Sequence, residues 1–279
     1  MLLAAACSGG AAKSAAATPN PTSSPTPTDT RTIGVLAIGH SGLTGYRSDP
    51  AFDGDTRANS WATGTNPAVD SIYQRLLRVA PDGAGKVDNE GVDGSTVDAL
   101  ADEVSVGLQA LPHPRLVLVM TVDNDVKCDG TDRANLPVYG SKLTAVLTQL
   151  VQASPKVVVV ILTQLDTVAD GVRSALRFPQ SLPAFEGTGT CDLFDAKGHP
   201  RPVAIRALTA IVGGYEREAA RVCAEFRQCH TDGGVGTRFT DFTAWAVPGD
   251  WNHLTVKGHA RLARMLWPTV ARLLDVPAT

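Results

Sequence analysis

Residues 33–42 read IGVLAIGHSG, a continuous aliphatic run followed directly by a polar cluster. A run of this kind is typical of a strand that is buried on both faces, as in a parallel sheet covered by helices. Two further runs share the pattern, LVLVM at 116–120 and VVVVILT at 157–163. The three runs together predict the centre of a parallel sheet.

Amphipathic segments alternate with these runs along the chain, and this alternation indicates a sheet with helices on both faces. We predict helices at 69–79, 96–111, 140–153, 203–226 and 255–274, and two weaker strands at 86–89 and 228–231. The predicted fold class is therefore α/β. We expect a single three-layer α/β/α domain over residues 32–279, with a central parallel sheet of about five strands.

The N-terminus has features of an export signal. Residues 1–7 read MLLAAAC, an apolar stretch with small residues before a cysteine. This resembles the lipobox of bacterial lipoproteins, which implies that residues 1–6 are the remnant of a signal peptide and that Cys7 is lipidated. The alternative is an alanine-rich disordered end with a chance cysteine.

Residues 7–31 are rich in Ala, Ser, Thr and Pro and contain too little apolar surface to fold. We predict a disordered tether that holds the domain off a membrane surface. The expected location is the cell envelope, as a lipoprotein on the outer face of the cytoplasmic membrane, or outside the cell as a secreted protein. Contact with the membrane is expected only through the lipid anchor.

Charge and hydropathy exclude two classes of protein. The chain has 25 Lys and Arg residues against 28 Asp and Glu residues, so it lacks the basic surplus that nucleic-acid binding needs. The apolar runs at 116–120 and 157–162 are far shorter than the roughly 20 residues that span a bilayer. We therefore expect neither a nucleic-acid partner nor an integral membrane protein. The expected assembly state is a monomer.

Four cysteines remain after Cys7, an even number that fits an exported protein with two disulfides. Of the three possible pairings we favour Cys223 with Cys229, because six residues across a helix end are easily closed. Cys128 and Cys191 would then join two long loops. The alternative is a zinc site, but no CxxC pair or histidine at ligand spacing accompanies these cysteines.

Three polar clusters follow predicted strands. GHSG at 39–42 follows the first strand, NEGVDGST at 89–96 follows the weak strand, and TVDND at 121–125 follows the next. In open α/β sheets, ligands bind beyond the carboxyl ends of the strands, where such loops converge. The candidate site therefore lies at this edge of the sheet.

The residues of these clusters suit catalysis by a serine. A tight turn after a strand can expose the hydroxyl of Ser41. Residues 250–253 read DWNH, so Asp250 can accept the Nδ1–H of His253 and leave Nε2 for the serine. The N–H of Gly94 and the amide of Asn124 are suitable donors to an oxyanion. Each residue also has a simpler interpretation, as a loop residue, a helix cap, a backbone requirement or a turn former.

The four blocks occur in an order that resembles the SGNH, or GDSL, family of serine esterases and lipases. The family has a serine after the first strand, then N-x-G-x-x-G-x-T, G-x-N-D and D-x-x-H. The resemblance covers about 33–270 and implies the flavodoxin-like fold of that family. It also implies hydrolysis of carboxylic esters, with short acyl or O-acetyl groups, on a small molecule, a glycan or a lipid.

The resemblance assigns a role to each block residue. Ser41 is the nucleophile, His253 the general base and Asp250 the residue that orients the imidazole. The oxyanion is held by the N–H groups of Ser41 and Gly94 and by the side-chain amide of Asn124. No metal or organic cofactor is implied.

The chain departs from the family pattern at two positions. His40 stands where the family has Asp before the nucleophile, and Val122 stands where it has the Gly of G-x-N-D. The first change alters the charge beside Ser41, and the second can crowd the loop that carries Asn124. A second hypothesis therefore stays open: a catalytically weak relative that binds a cell-envelope glycan or lipid in the same cleft.

Overall fold

A five-stranded parallel sheet forms the centre of the computed structural model, which describes residues 32–278. The strands are β1 (Val35–Gly39), β2 (Val87–Asn89), β3 (Leu116–Met120), β4 (Val158–Leu162) and β5 (Cys229–Thr231). They lie in the order β2-β1-β3-β4-β5, and every neighbouring pair is parallel. The predicted α/β class with a parallel sheet is confirmed.

Helices cover both faces of this sheet. They are α1 (Ile72–Val79), α2 (Leu100–Ala110), α3 (Asp132–Ala153), α4 (Val168–Arg177), α5 (Pro202–Cys223), α6 (Phe242–Trp245) and α7 (Val256–Leu274). Side chains along β1, β3 and β4 alternate between two apolar cores. In β3, Leu118 lies in the core that contains α1 and α7, whereas Val119 lies in the core that contains α2, α3 and α5. This alternation produces the three layers.

Two helices, α4 and α6, were not predicted from the sequence, and a third, α3, is longer than predicted. The four-residue helix α6 is too short for its periodicity to be read. The helix α4 is short and contains a glycine, although a usable signal precedes it: the Thr167 hydroxyl caps it by accepting the N–H of Asp170 (3.1 Å). The helix α3 begins at Asp132 rather than at 140, because it continues through Pro137. No helix within 32–278 is long and apolar enough to cross a bilayer.

Two disulfides tie the loops to this frame. Cys223, at the end of α5, bonds to Cys229, the first residue of β5. Cys128, in the loop after β3, bonds to Cys191, in the segment between α4 and α5. These are the pairs favoured from the sequence. The predicted signal remnant, Cys7 and the tether lie outside the described residues.

The chain passes very close to β3 as it leaves β1. Gly39 pairs with Met120 in the register of the two strands, and it has a φ of +132°. A Cβ at this position would lie 1.9 Å from the carbonyl oxygen of Met120, so only glycine fits. The next N–H, that of His40, donates to the same carbonyl (3.2 Å). Ser41 therefore follows a turn that is packed directly against the end of β3.

A buried carboxyl group lies beneath this turn. Glu103 of α2 accepts the N–H of Gly39 (2.6 Å) and the hydroxyl of Ser95 (2.5 Å). It thereby joins the end of β1 to the loop that carries Gly94. Burial raises the pKa of Glu103 to about 7, although the hydrogen bonds from Ser95 and Gly39 partly oppose the rise.

The close approach at Gly39 predicts a large loss of stability on substitution. We expect Gly39→Ala to lower the free energy of unfolding by at least about 3 kcal/mol, since overpacking adds to backbone strain. Gly85→Ala is the matched control, because Gly85 also has a positive φ (+74°) but no atom lies within 4 Å of a Cβ there. The control should lose only about 1–2 kcal/mol. Urea unfolding measures both losses, and equal values would contradict the argument.

The raised pKa of Glu103 predicts a pH-dependent stability. Folding favours the protonated carboxyl, so its contribution is fully present below the usual value of 4.5 and is lost as the pH rises to about 7. Glu103→Gln, which mimics the neutral form, should gain stability relative to wild type across this window, by up to about 1.4 kcal/mol per pH unit. The exposed Glu225→Gln is the control. Denaturant titrations at several pH values measure the effect, and parallel pH curves for wild type and Glu103→Gln would refute it.

Candidate active site

The candidate site lies where the strand order of the sheet reverses. From β1, one connection leads to β2 on one side, and β3 lies on the other side. Such a switch point leaves a crevice at the carboxyl ends of the two central strands. Ser41 follows β1 into this crevice, and the loop with Asp123 and Asn124 enters it from β3.

Three predicted residues meet at this crevice through two hydrogen bonds. The Oγ of Ser41 lies 2.9 Å from Nε2 of His253, and Nδ1 of His253 lies 2.7 Å from Oδ2 of Asp250. The serine and the histidine are 212 residues apart in the chain. The tertiary fold thus assembles a Ser-His-Asp arrangement with the geometry that proton transfer from the serine requires.

The loop before α7 sets the position of the histidine. The Oδ1 of Asp250 accepts the N–H groups of Asn252 (2.7 Å) and His253 (2.9 Å), and Trp251 between them has a left-handed φ of +56°. The N-cap of α7 is Thr255, whose hydroxyl accepts the N–H of Gly258. His253 is therefore not the helix cap, which was the simpler interpretation of its position.

The surroundings of Asp250 favour its ionised form. Burial opposes ionisation, but the hydrogen bonds from His253 and from two backbone N–H groups outweigh it, and the pKa of the carboxyl is lowered. Arg47 adds a positive charge 3.7 Å away. The ring of Tyr46 packs on the imidazole, with ring centroids 4.6 Å apart. A fixed negative charge thus faces Nδ1 of an imidazole that is held in place.

The two predicted oxyanion donors outside the triad lie on neighbouring loops. The side-chain amide of Asn124 donates to the carbonyl of Ser95 (3.0 Å), which directly follows Gly94. Within the described residues, the N–H groups of Ser41 and Gly94 have no hydrogen-bond partner. Gly94 has a φ of +74°, a conformation that glycine adopts without strain. Within residues 32–278, no hydrogen bond joins Ser41 to Gly94 or to Asn124.

The departure at His40 preserves a turn. Its Nδ1 accepts the N–H of Gly42 (3.1 Å), and a carboxylate oxygen at this position could accept the same group. The ring is buried, and burial lowers the pKa of His40, against the opposing charge of Asp123. A neutral imidazole therefore replaces the family's acid without introducing a cation beside Ser41.

The departure at Val122 stores backbone strain. Val122 is buried and has φ +92° and ψ −49°, a region that β-branched residues avoid. The chain thus keeps at this position a conformation suited to glycine, at a cost of about 1–3 kcal/mol. The turn is held by Asp125, whose carboxyl accepts the hydroxyl of Thr121 (3.0 Å) and the N–H of Val97 (3.0 Å). The loop is strained, yet it still carries Asn124 toward the loop of Gly94.

A cavity that was not predicted from the sequence opens beside Ser41 and His253. It has a volume of about 550 Å³, and its wall includes Ser41, His253 and the Cys128–Cys191 disulfide. The wall elements α4 and α5 are separated from Ser41 by more than a hundred residues, so no local pattern connects them. Residues 32–278 contain no cluster of three or more His, Cys, Asp or Glu side chains placed to hold a metal ion.

No family model and no curated protein matches this sequence. Solved structures do resemble the fold. A protein of Parabacteroides merdae described as a GDSL-like lipase superposes with a TM-score of 0.53 at 16% identity, over 86% of this chain and 96% of its own. An acetyl xylan esterase superposes with a TM-score of 0.51 at 13% identity, over 85% of this chain and 100% of its own.

Identities this low carry the likeness of fold and nothing finer, because a fold hosts many functions. The fold is nevertheless the one that the ordered sequence blocks led us to expect. The chain has the fold of the SGNH, or GDSL, hydrolases.

Proposed function

We propose that this protein is a serine hydrolase of carboxylic esters. The observation that carries the proposal is the continuous hydrogen-bonded chain from Asp250 through His253 to Ser41, at the switch point of the sheet. An acid that orients a histidine base, which in turn is hydrogen-bonded to a serine nucleophile, is the arrangement that activates a serine on several unrelated folds.

The reaction proceeds in two halves. His253 Nε2 takes the proton of the Ser41 hydroxyl as Oγ attacks the ester carbonyl, and the tetrahedral intermediate collapses when the imidazolium gives this proton to the departing alkoxide. The alcohol leaves and Ser41 carries the acyl group. Water then attacks the acyl carbonyl with His253 again as base. The carboxylic acid leaves, and the proton returns to Ser41 Oγ.

Asp250 contributes orientation and charge. Its hydrogen bond to Nδ1 selects the tautomer that leaves Nε2 unprotonated, and its negative charge stabilises the imidazolium that forms during attack. The lowered pKa of Asp250 keeps it ionised at neutral pH. It does not take the proton itself.

The negative charge that develops on the carbonyl oxygen requires donors. Among residues 32–278, the N–H groups of Ser41 and Gly94 have no hydrogen-bond partner, and Asn124 has a second amide hydrogen beyond the one given to Ser95. We assign these three groups to the oxyanion hole. Donors that are already in place lower the barrier because they need no reorganisation during the reaction.

The two disulfides support a proposal about the location of the enzyme. Two intramolecular disulfides fit an oxidising compartment, so we propose that the protein is exported. Lipidation at Cys7, the tether and the monomeric state belong to the same proposal. Mass spectrometry of the membrane fraction tests the first of these, since a diacylglyceryl mass on Cys7 is expected.

Loss of either end of the proton-transfer pair should abolish activity. We expect Ser41→Ala and His253→Ala each to lower kcat/KM for a nitrophenyl ester by a factor on the order of 10⁴, since members of a triad act as a unit. A fluorophosphonate probe should label the wild type and not Ser41→Ala. Exposed residues supply the controls Ser105→Ala and His199→Ala, which should react as the wild type does.

Two results would contradict the assignment of Ser41 as nucleophile and His253 as base. Turnover in His253→Ala that is close to wild type would show that the imidazole is not the base. Absence of Ser41-dependent turnover and labelling in the wild type would favour the glycan- or lipid-binding relative.

Removal of the Asn124 amide should affect the chemical step more than binding. We expect Asn124→Ala to lower kcat by a factor of about 10²–10³ with a small change in KM, because the donor acts on charge that develops in the transition state. Asn135→Ala, on α3, is the control. Steady-state kinetics separate the two constants, and a rise in KM at unchanged kcat would remove Asn124 from the oxyanion hole.

A further inference from the structure

The cavity beside the triad has two helical walls. One wall is the face of α4 that carries Val168, Gly171 and Ala175, which share a side of the helix at spacings of three and four residues. The other is the face of α5 that carries Leu208 and Val212. Ser41 and His253 lie in the same cavity, so its contents have direct access to the nucleophile.

Aromatic and aliphatic side chains close the cavity between these walls. Phe194 is fully buried and forms a separate apolar core with Val172, Ala175 and Leu193. Phe185 and Leu208 pack on that core and also line the cavity. The segment between β4 and α5 thus has its own apolar centre, independent of the two cores of the sheet.

A disulfide and several hydrogen bonds hold the segment between β4 and α5 in place. The Cys128–Cys191 disulfide joins it to the loop after β3 and itself lines the cavity. The guanidinium of Arg201 donates to the carbonyls of Gly187 (3.1 Å) and Asp192 (2.8 Å). Constraints of this kind keep a pocket open before a ligand arrives, which lowers the cost of binding.

Some polar side chains in the cavity lining already have partners. The side-chain amide of Gln164 donates to Asp123 (3.1 Å), and its backbone N–H donates to Glu216 (3.1 Å). Burial raises the pKa of Glu216, which weakens it as a charged ligand group. Gln164 and Glu216 therefore contribute little to the binding of a charged ligand, and the aliphatic and aromatic part of the lining favours an apolar one.

We propose that this cavity binds the acyl chain of the substrate and selects esters of medium-length fatty acids, such as octanoyl esters, over acetyl esters. The inference rests on the proposed function, because it assumes that Ser41 attacks the ester carbonyl. An acetyl group would leave most of the 550 Å³ unfilled, whereas cavities of roughly 300–1,000 Å³ bind whole drug-sized ligands. The cavity thus argues for longer chains than the short acyl or O-acetyl groups expected from the sequence.

Gly171 offers a way to shorten the cavity. A Cβ at this position would meet no atom within 4 Å, and its helix face is the one that lines the cavity. Leucine is also a better helix former than glycine. Gly171→Leu therefore places a branched side chain in the space assigned to the acyl chain. Ala169→Leu adds a similar side chain to the exposed side of the same helix and is the matched control.

The test compares kcat/KM for nitrophenyl acetate, butyrate and octanoate. Each methylene buried in the cavity should raise kcat/KM by about fourfold. Octanoate has six more methylenes than acetate, so full burial gives a preference of roughly 4,000-fold, and we expect wild type to prefer octanoate by at least about 100-fold. In Gly171→Leu the ratio of octanoate to acetate should fall by at least about tenfold. In Ala169→Leu the ratio should not change.

The outcomes separate this inference from the proposed function. Ser41-dependent hydrolysis with acetate equal to or better than octanoate would overturn the acyl-chain assignment and leave the esterase intact, with an acetylated substrate in its place. An unchanged ratio in Gly171→Leu would also overturn the assignment. Absence of both turnover and fluorophosphonate labelling would instead defeat the proposed function.

Discussion

The parallel pairing of β1 with β3 brings the carboxyl ends of two central strands side by side, and the candidate site depends on it. Gly39 and Met120 are partners in this register, and the absence of a side chain at Gly39 lets the chain turn against the end of β3. Ser41 emerges from that turn, and Asn124 emerges from the next loop. A side chain at Gly39 would separate these loops, so the packing of two backbones positions Ser41.

The pKa values of two carboxyl groups near this junction shift in opposite directions because their hydrogen-bond partners differ. Asp250 receives hydrogen bonds from His253 and two backbone N–H groups, and its pKa is lowered despite burial. Glu103 receives only two hydrogen bonds, and burial raises its pKa to about 7. The first group places a negative charge beside Nδ1 of His253. The second joins the loops of Ser41 and Gly94, and it loses its charge readily near neutral pH.

Two loops that carry candidate catalytic groups each contain a residue with a strained backbone conformation. Val122 precedes Asn124 with a backbone conformation suited to glycine, and Trp251 precedes His253 with a left-handed φ. Such conformations persist only where surrounding contacts over-determine them. Here those contacts are the carboxyl groups of Asp125 and Asp250, which accept hydrogen bonds from the loop backbone. The fold therefore holds the site residues in place by local polar contacts as well as by the sheet.

The sequence by itself determined the central strands, because continuous aliphatic runs can be stable only where both faces of a strand are covered. It also identified Ser41, His253 and Asp250 as candidates, since each stands in a short block with a recognisable role. Both disulfides followed from the count and spacing of the cysteines. These features are local, or they depend on chemistry that a single residue carries.

Only the tertiary structure decided the rest. The 2.9 Å contact between Ser41 and His253 joins residues that are 212 positions apart. The hydrogen bond from Gly39 to Glu103 joins residues that are 64 positions apart. The cavity is a space between α4, α5 and the disulfide-bonded loop of Cys191, and it is a property of no single segment. Sequence patterns record which side chains avoid water, because that preference repeats with the period of a helix or strand. The distance between two such elements, and the empty volume that remains among them, is set by packing of the whole domain.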